Sequence, residues 1–141
     1  MKIRQISALA IAMMIVALCA SACKKGAGSS PTATFKAYVE AVQHKDTEGV
    51  KKTFSKGSLA FFERAAKAQN KTVDEMLKTG ITDEVASASM PEMRNEKIEG
   101  ETATLEVKDN KSGNWETVPF VKEEGQWKIA LEKMGMQSPA S

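Results

Sequence analysis

The apolar periodicity of the chain changes near Pro91, and this change constrains the fold more than any other feature. Before Pro91, apolar residues recur at the i, i+3, i+4, i+7 spacing of one helix face. The clearest set is Phe35, Tyr38, Val39 and Val42. After Pro91, apolar and polar residues alternate, as expected for strands with one buried face. Helices followed by an antiparallel meander predict an α+β domain, with the helices covering one face of a curved sheet of about four strands.

Capping residues and glycines give the helix bounds. Asp46 is a natural N-cap for a second helix, which Gly57 should end, and Ser58 should cap a third. Residues 72–75 (TVDE) form a capping-box pattern, so a short fourth helix should stop at Gly80. The predicted helices cover residues 32–44, 46–54, 59–69 and 73–79.

The strands are separated by turn sequences. Residues 109–114 (DNKSGN) and the pair at 124–125 (EG) are turn signals. Pro119 lies inside the third predicted strand and indicates a sheet edge or a bulge. The predicted strands are residues 94–99, 102–108, 115–122 and 126–132. The domain is expected to cover residues 32–134, with a loose tail at 135–141.

The first residues have the order of a secretory signal peptide. Lys2 and Arg4 precede the apolar run 6–18, and the small residues 20–22 (ASA) lead into Cys23. Positive charge, apolar stretch and small residues are the three parts that such a signal needs. Residues 1–22 are therefore predicted to be removed from the mature protein.

The same segment resembles a bacterial lipoprotein precursor. In that family the residue after the cut is a cysteine whose thiol carries a diacylglyceryl group and whose amine is usually acylated. The resemblance implies that Cys23 is lipidated, that residues 23–31 form a flexible tether, and that the protein is anchored in the cell envelope. Lys24 stands where enteric lipoproteins carry the aspartate that marks inner-membrane retention. The outer membrane, facing the periplasm, is therefore expected if the host has two membranes.

Two alternatives to lipidation remain open. The small residues 20–22 also satisfy the A-x-A rule, so an ordinary signal peptidase could cut at the same bond and leave a free Cys23. Residues 5–23 contain no charge, and about 20 apolar residues suffice for a spanning helix. An uncleaved anchor is thus the second alternative.

Composition excludes several classes of function. Removing residues 1–22 leaves 119 of the 141 residues, which is enough for one domain. The signal also contains Lys2 and Arg4, so 18 basic and 18 acidic residues remain, without the positive excess of a nucleic-acid binder. Cys23 is the only cysteine left and His44 the only histidine. We therefore predict no metal site, no cofactor and no disulfide in the domain.

Several motifs of the domain resemble small bacterial lipoproteins with the nuclear-transport-factor-like cone fold, many of them uncharacterised. The helical motif is F-x-x-Y-x-x-A at residues 35–41, followed by Asp46 and Phe54. The sheet motifs are EGE-x-ATL at residues 99–105 and VKEEGQWKI at residues 121–129. The resemblance implies a cone-like fold, and the enzymes of that fold place carboxylates and tyrosines inside an apolar cone. It covers isomerases and hydratases as well as relatives without a pocket, so it leaves the function open.

Aromatic residues predicted to face the interior are the candidate ligand-binding residues: Phe35, Tyr38, Phe62, Phe120 and Trp127. The leading hypothesis is a non-enzymatic domain, held to the membrane by the lipid on Cys23, that binds a small apolar ligand or an envelope protein. An isomerase or hydratase is the alternative, with Tyr38 acting beside a carboxylate that the sequence does not identify. A purely structural or interaction role is the third. No catalytic residue, nucleic-acid partner or oligomeric state is predicted.

Overall fold

The computed structural model describes residues 26–136, and it has helices first and a four-stranded antiparallel sheet last, as predicted. The signal peptide, Cys23 and residues 137–141 lie outside the described residues. The helices are α1 (Pro31–Gln43), α2 (Thr47–Thr53), α3 (Lys56–Ala68), α4 (Val73–Gly80) and α5 (Asp83–Ala86). The strands are β1 (Met93–Glu99), β2 (Thr102–Lys108), β3 (Trp115–Glu123) and β4 (Gln126–Ile129), followed by a 3-10 helix (Leu131–Met136).

Side-chain caps start the helices, and two of them, Asp46 and Thr72, are those that the sequence predicts. Ser30 accepts a hydrogen bond from the Ala33 amide at the start of α1. Asp46 caps α2 through the Gly49 amide at 2.9 Å. Thr72 starts α4 with the complete capping box. Each cap satisfies a backbone N–H that has no partner inside its helix.

The predicted start of α3 is wrong by three residues. Ser55, not Ser58, caps the helix by accepting the Ser58 amide at 3.0 Å, and Gly57 lies inside α3 rather than ending α2. The reason is tertiary, because the Ser55 amide donates to the Ile129 carbonyl at 2.9 Å. This contact fixes Ser55 against β4 and selects it over the second serine.

The sheet order is β1-β2-β3-β4, with every neighbouring pair antiparallel. The predicted alternation of β2 is confirmed, since its three apolar side chains are buried and their neighbours are not. Phe120 is opposite Ala103 on one side and Ile129 on the other, at the centre of the buried face. The helices α1 and α2 pack on this face. The main buried residues are Phe35, Val42, Val50, Phe54, Leu105, Phe120, Trp127 and Ile129.

Pro119 lies in a central strand, not at an edge or a bulge as predicted. The pairing of β2 with β3 runs without interruption past Pro119. The Pro119 carbonyl accepts from the Ala130 amide at 2.9 Å, so its backbone faces the side on which β4 has already ended. Proline lacks an N–H, and here no partner strand requires that donor.

The bulge occurs in β1 instead, between Arg94 and Lys97, where Asn95 has a φ of 52°. It directs the Glu96 carboxylate to the start of α1. There Glu96 accepts from the Thr32 amide at 2.8 Å and from the Thr32 hydroxyl at 2.6 Å. A negative charge at a helix N-terminus is favourable, so the weak edge strand is tied to the first helix.

The tether is shorter than the predicted range of residues 23–31. The Gly28 carbonyl accepts from the Trp127 amide at 2.9 Å, and Gly28 is buried against Gln126. Ser30 caps α1, and Pro31 is fully buried. The chain from Gly28 onward is therefore part of the domain, because it covers the outer edge of β4.

The C-terminal end also differs from prediction. The strand β4 ends at Ile129 rather than at residue 132, and the 3-10 helix extends two residues beyond the expected domain limit at 134. The cause is a buried polar contact, since the Leu131 amide donates to the Ser58 hydroxyl at 2.8 Å. The Glu132 carboxylate, in turn, accepts from the hydroxyls of Ser55 and Ser58.

We predict that Ser58→Ala lowers the free energy of unfolding by about 1–3 kcal/mol, because it removes a fully buried hydroxyl and leaves the Leu131 amide without its acceptor. Urea unfolding followed by circular dichroism measures the loss. Ser112→Ala is the matched control on an exposed turn, and it should change stability by less than about 0.5 kcal/mol. Equal effects for the two variants would contradict the structural role of Ser58.

Candidate functional site

An apolar cleft of about 460 Å³ opens between α1, one end of the sheet and the segment that follows α4. One wall comes from α1, through Phe35, Tyr38 and Val42. The sheet supplies Val107, Val118 and Ile129, and the facing wall is formed by Val85, Ala88 and Pro91. We refer to this space as the cleft. Its volume lies within the range of small-molecule sites.

A second hollow of about 390 Å³ lies between α1, α3 and α4. Phe61, Phe62 and Leu77 contribute to it. The residues that line both spaces are Tyr38, Val42, Phe54, Val85 and Leu131. The two spaces therefore adjoin along α1, with Tyr38 at their junction.

The phenol of Tyr38 is the one polar side chain that α1 contributes to the cleft. Its ring packs against Phe35 and Phe54, with ring centroids 5.7 and 5.6 Å away. Its hydroxyl makes no hydrogen bond with any described residue, and burial raises the pKa of the Tyr38 hydroxyl above its ordinary value. The phenol thus stays neutral at physiological pH and is able to donate a hydrogen bond to a bound molecule.

Three acidic side chains line the rim of the cleft, Glu84, Asp109 and the exposed Glu116, and the first two are already engaged. The Lys111 ammonium, 2.8 Å from the Glu84 carboxylate, lowers the pKa of that carboxyl. Hydrogen bonds from the backbone amides of Ser112 and Lys111 lower the pKa of Asp109. Both groups are therefore ionised at neutral pH, whereas a general acid needs a raised pKa.

The wall formed by residues 82–92, called the strap below, is held to the body by exposed polar contacts. Asn110 donates to the Ser89 carbonyl and Gln43 to the Ala88 carbonyl, both at 2.9 Å. The ion pairs are Lys45–Asp83, Lys111–Glu84 and Lys108–Glu92. None of the residues of α5 is fully buried. Exposed ion pairs contribute little stability, so the strap is the least firmly held wall of the cleft.

The five predicted ligand-binding residues do not meet in one place. Phe35 and Tyr38 line the cleft, and Phe62 lines the second hollow. Phe120 and Trp127 are 0% and 4% exposed and line neither space. Sequence reasoning missed Val85, Ala88 and Pro91, because the strap was left unassigned. Residues 82–92 are mostly polar and show no apolar periodicity, so the sequence gave no signal that they form a wall of the cleft.

The described part of the chain contains no group of three or more His, Cys, Asp or Glu side chains arranged to hold a metal ion. None of the helices in the same part has the length and apolar character needed to cross a membrane. No family model matches this chain, and none of the curated proteins or solved structures matches it either.

Proposed function

We propose that the protein is a lipoprotein of the cell envelope whose domain binds a small apolar ligand without transforming it. The observation that carries this proposal is the 460 Å³ apolar cleft with the unpaired Tyr38 hydroxyl on its wall. The order of charge, apolar run and small residues before Cys23 supports the lipid anchor. The helices-then-sheet order is compatible with a cone-like fold of the nuclear-transport-factor type.

The cleft favours a ligand that is mostly apolar and carries one hydrogen-bond acceptor. Its walls are built from aliphatic and aromatic side chains, so burial of apolar surface provides the main driving force. A carbonyl or ether oxygen facing Tyr38 would accept from its hydroxyl. The rim lysines are already paired in Lys111–Glu84 and Lys108–Glu92, so an anionic group on the ligand would have to displace an existing partner.

Binding is favoured over an isomerase or hydratase reaction by the surroundings of Tyr38. Such an enzyme needs a carboxylate whose pKa is raised by burial and which lies within hydrogen-bond reach of the reacting group. Burial is the only cause that raises the pKa of Tyr38, and the rim carboxylates Glu84 and Asp109 have lowered pKa values. The third rim carboxylate, Glu116, is exposed. The cleft thus offers a donor and apolar walls, and the Tyr38 hydroxyl makes no hydrogen bond with a described carboxylate.

A partner protein is the second candidate, favoured by exposed apolar side chains around the two hollows. Phe61 is 50% exposed, Met134 43% and Val85 40%. Such side chains are common at protein interfaces when they form a contiguous patch. A partner would cover the cleft rather than fill it, so it would protect Phe61 as well as the strap.

For the ligand proposal we predict that the matched pair benzophenone and diphenylmethane binds in the cleft of the full mature protein. Both fit an apolar space, but only benzophenone has an acceptor for Tyr38. Tyr38→Phe should weaken benzophenone binding by about 2- to 10-fold, as expected for one net hydrogen bond of about 0.5–1.5 kcal/mol. Binding of diphenylmethane should not change. Native mass spectrometry of protein released from detergent micelles measures the binding of both ligands.

Two further variants test where these probes bind. Ala88 is exposed and lines the cleft, so Ala88→Trp should block it with little effect on folding. Ala60 is exposed on α3 and lines neither space, so Ala60→Trp is the matched control. The proposal is supported if Ala88→Trp abolishes binding of both ligands and Ala60→Trp does not. Binding that is absent from the native protein, or unaffected by Ala88→Trp, would overturn it.

A further inference from the structure

The N-terminal segment joins the domain at one end of the sheet. The Gly28 carbonyl accepts from the Trp127 amide at 2.9 Å, in the first residues of β4. Trp127 is paired with Lys122 of β3, and the Lys122 amide donates to the Glu101 carbonyl at 2.8 Å. Gly28 thus lies level with the two tight turns that join β1 to β2 and β3 to β4. We call this the anchor end.

The polar rim of the cleft, called its mouth below, lies at the opposite end of the sheet. Its polar lining includes Asn110 and Lys111, in the turn that joins β2 to β3. At that end Lys108 is paired with Trp115. The strand β3 runs from Trp115 to Lys122 across seven residue steps, which corresponds to about 23 Å at a rise of about 3.3 Å per residue. The turn extends further still, so the mouth of the cleft lies at least this far from the anchor end.

The chain between Cys23 and Gly28 is shorter than that separation. Five residue steps span at most about 18 Å when fully extended, and a flexible coil of this length averages about 13 Å. A domain standing with its mouth on the membrane would hold Gly28 about 23 Å above the surface. The chain to Cys23 cannot cover that distance while the contact between Gly28 and Trp127 is kept.

We infer that the anchored domain holds its anchor end near the bilayer and cannot place the mouth of the cleft end-on against the membrane that carries it. This inference rests on the lipid anchor at Cys23 in the proposed function. The consequence concerns the route of the ligand. The apolar ligand therefore does not enter the cleft through an end-on contact between its mouth and the anchoring bilayer.

The absence of cysteine from residues 24–141 allows a direct test, since an introduced cysteine is the only free thiol once Cys23 is lipidated. Glu101→Cys places a fluorescent label at the anchor end, and Ser112→Cys places one at the mouth end. The labelled full-length mature proteins are reconstituted into vesicles whose lipid headgroups carry a short-range quencher. The label at 101 should lose most of its fluorescence, whereas the label at 112 should keep it.

A longer tether provides the matched variant. Inserting about twenty Gly and Ser residues after Lys25 raises the average reach to about 28 Å, so the mouth can then meet the membrane and quenching at the two labels should converge. Equal or stronger quenching at 112 with the native tether would overturn the inferred orientation alone. Intact mass separates the two proposals: a mature protein without acyl mass on Cys23 would overturn the anchor, and the orientation with it.

Discussion

Phe120→Ala should lower the free energy of unfolding by about 3–5 kcal/mol, as expected when a large buried aromatic side chain is removed and a cavity is left. Phe120 is 0% exposed and lies at the centre of the sheet, opposite Ala103 and Ile129. Neither neighbour is able to fill the space without a shift of its own strand. A loss of this size is a large fraction of the stability of a domain, which is typically about 5–15 kcal/mol. Urea unfolding of the native protein and of the variant gives the difference in the free energy of unfolding.

Phe61→Ala is the matched control, because the same side chain is removed from a site that is 50% exposed. Its ring contacts Phe62, with centroids 6.1 Å apart, and otherwise faces solvent at the edge of the second hollow. The expected loss is below about 1 kcal/mol, as for other exposed positions. If Phe61→Ala cost as much as Phe120→Ala, the packing of the α3 region would differ from the structure.

The sequence predicted most of the fold because local signals and burial agree over most of the chain. The alternation of β2 matches its buried face residue by residue, and a strand with one buried face needs little tertiary information. The same holds for α2 and α4, which start at the predicted caps Asp46 and Thr72, and for α1, whose apolar face was predicted from its spacing. The order and type of α1 to α4 and of β1 to β4 therefore followed from spacing and caps.

The errors occur where tertiary contacts choose between equivalent local options. Ser55 and Ser58 are both suitable N-caps, and tertiary hydrogen bonds decide between them, because the Ser55 amide and the Ser58 hydroxyl both donate to the Ile129 carbonyl. Gly28 belongs to a polar Gly/Ser-rich segment that is typical of a linker, yet it covers an edge strand. Pro119 is tolerated in a central strand because β4 ends beside it. In each case the deciding partner is distant in sequence.

The candidate site was predictable only in part, for a related reason. Periodicity placed Phe35, Tyr38 and Val42 on one face of α1, but spacing does not reveal whether that face is fully covered. The cleft exists because the strap packs across α1 at a distance, through contacts such as Gln43 to the Ala88 carbonyl, instead of filling the space with large side chains. A hollow is a property of the surroundings, and no single segment encodes it.

Cys23→Ala should remove all added lipid mass and release the protein from the membrane. In the native protein a thioether-linked diacylglyceryl group and an acylated amine would provide several acyl chains. Each buried methylene contributes about 0.8 kcal/mol, and two membrane signals already give stable anchoring. The variant keeps the small residues 20–22, so an ordinary signal peptidase is still able to cut before position 23. The measurements are intact mass and the distribution of the protein between membrane and soluble fractions.

Cys19→Ala is the matched control, since Cys19 lies within the predicted signal peptide and leaves with it. Its mature mass and membrane fraction should equal those of the native protein. A native mature chain that begins at Cys23 without acyl mass would instead indicate ordinary cleavage, and a mass that still includes residues 1–22 would indicate an uncleaved anchor. Either result would contradict lipidation, and an uncleaved anchor would place the membrane at residues 5–23. The ligand cleft, built entirely from residues after Gly28, would keep its predicted binding of benzophenone in both cases.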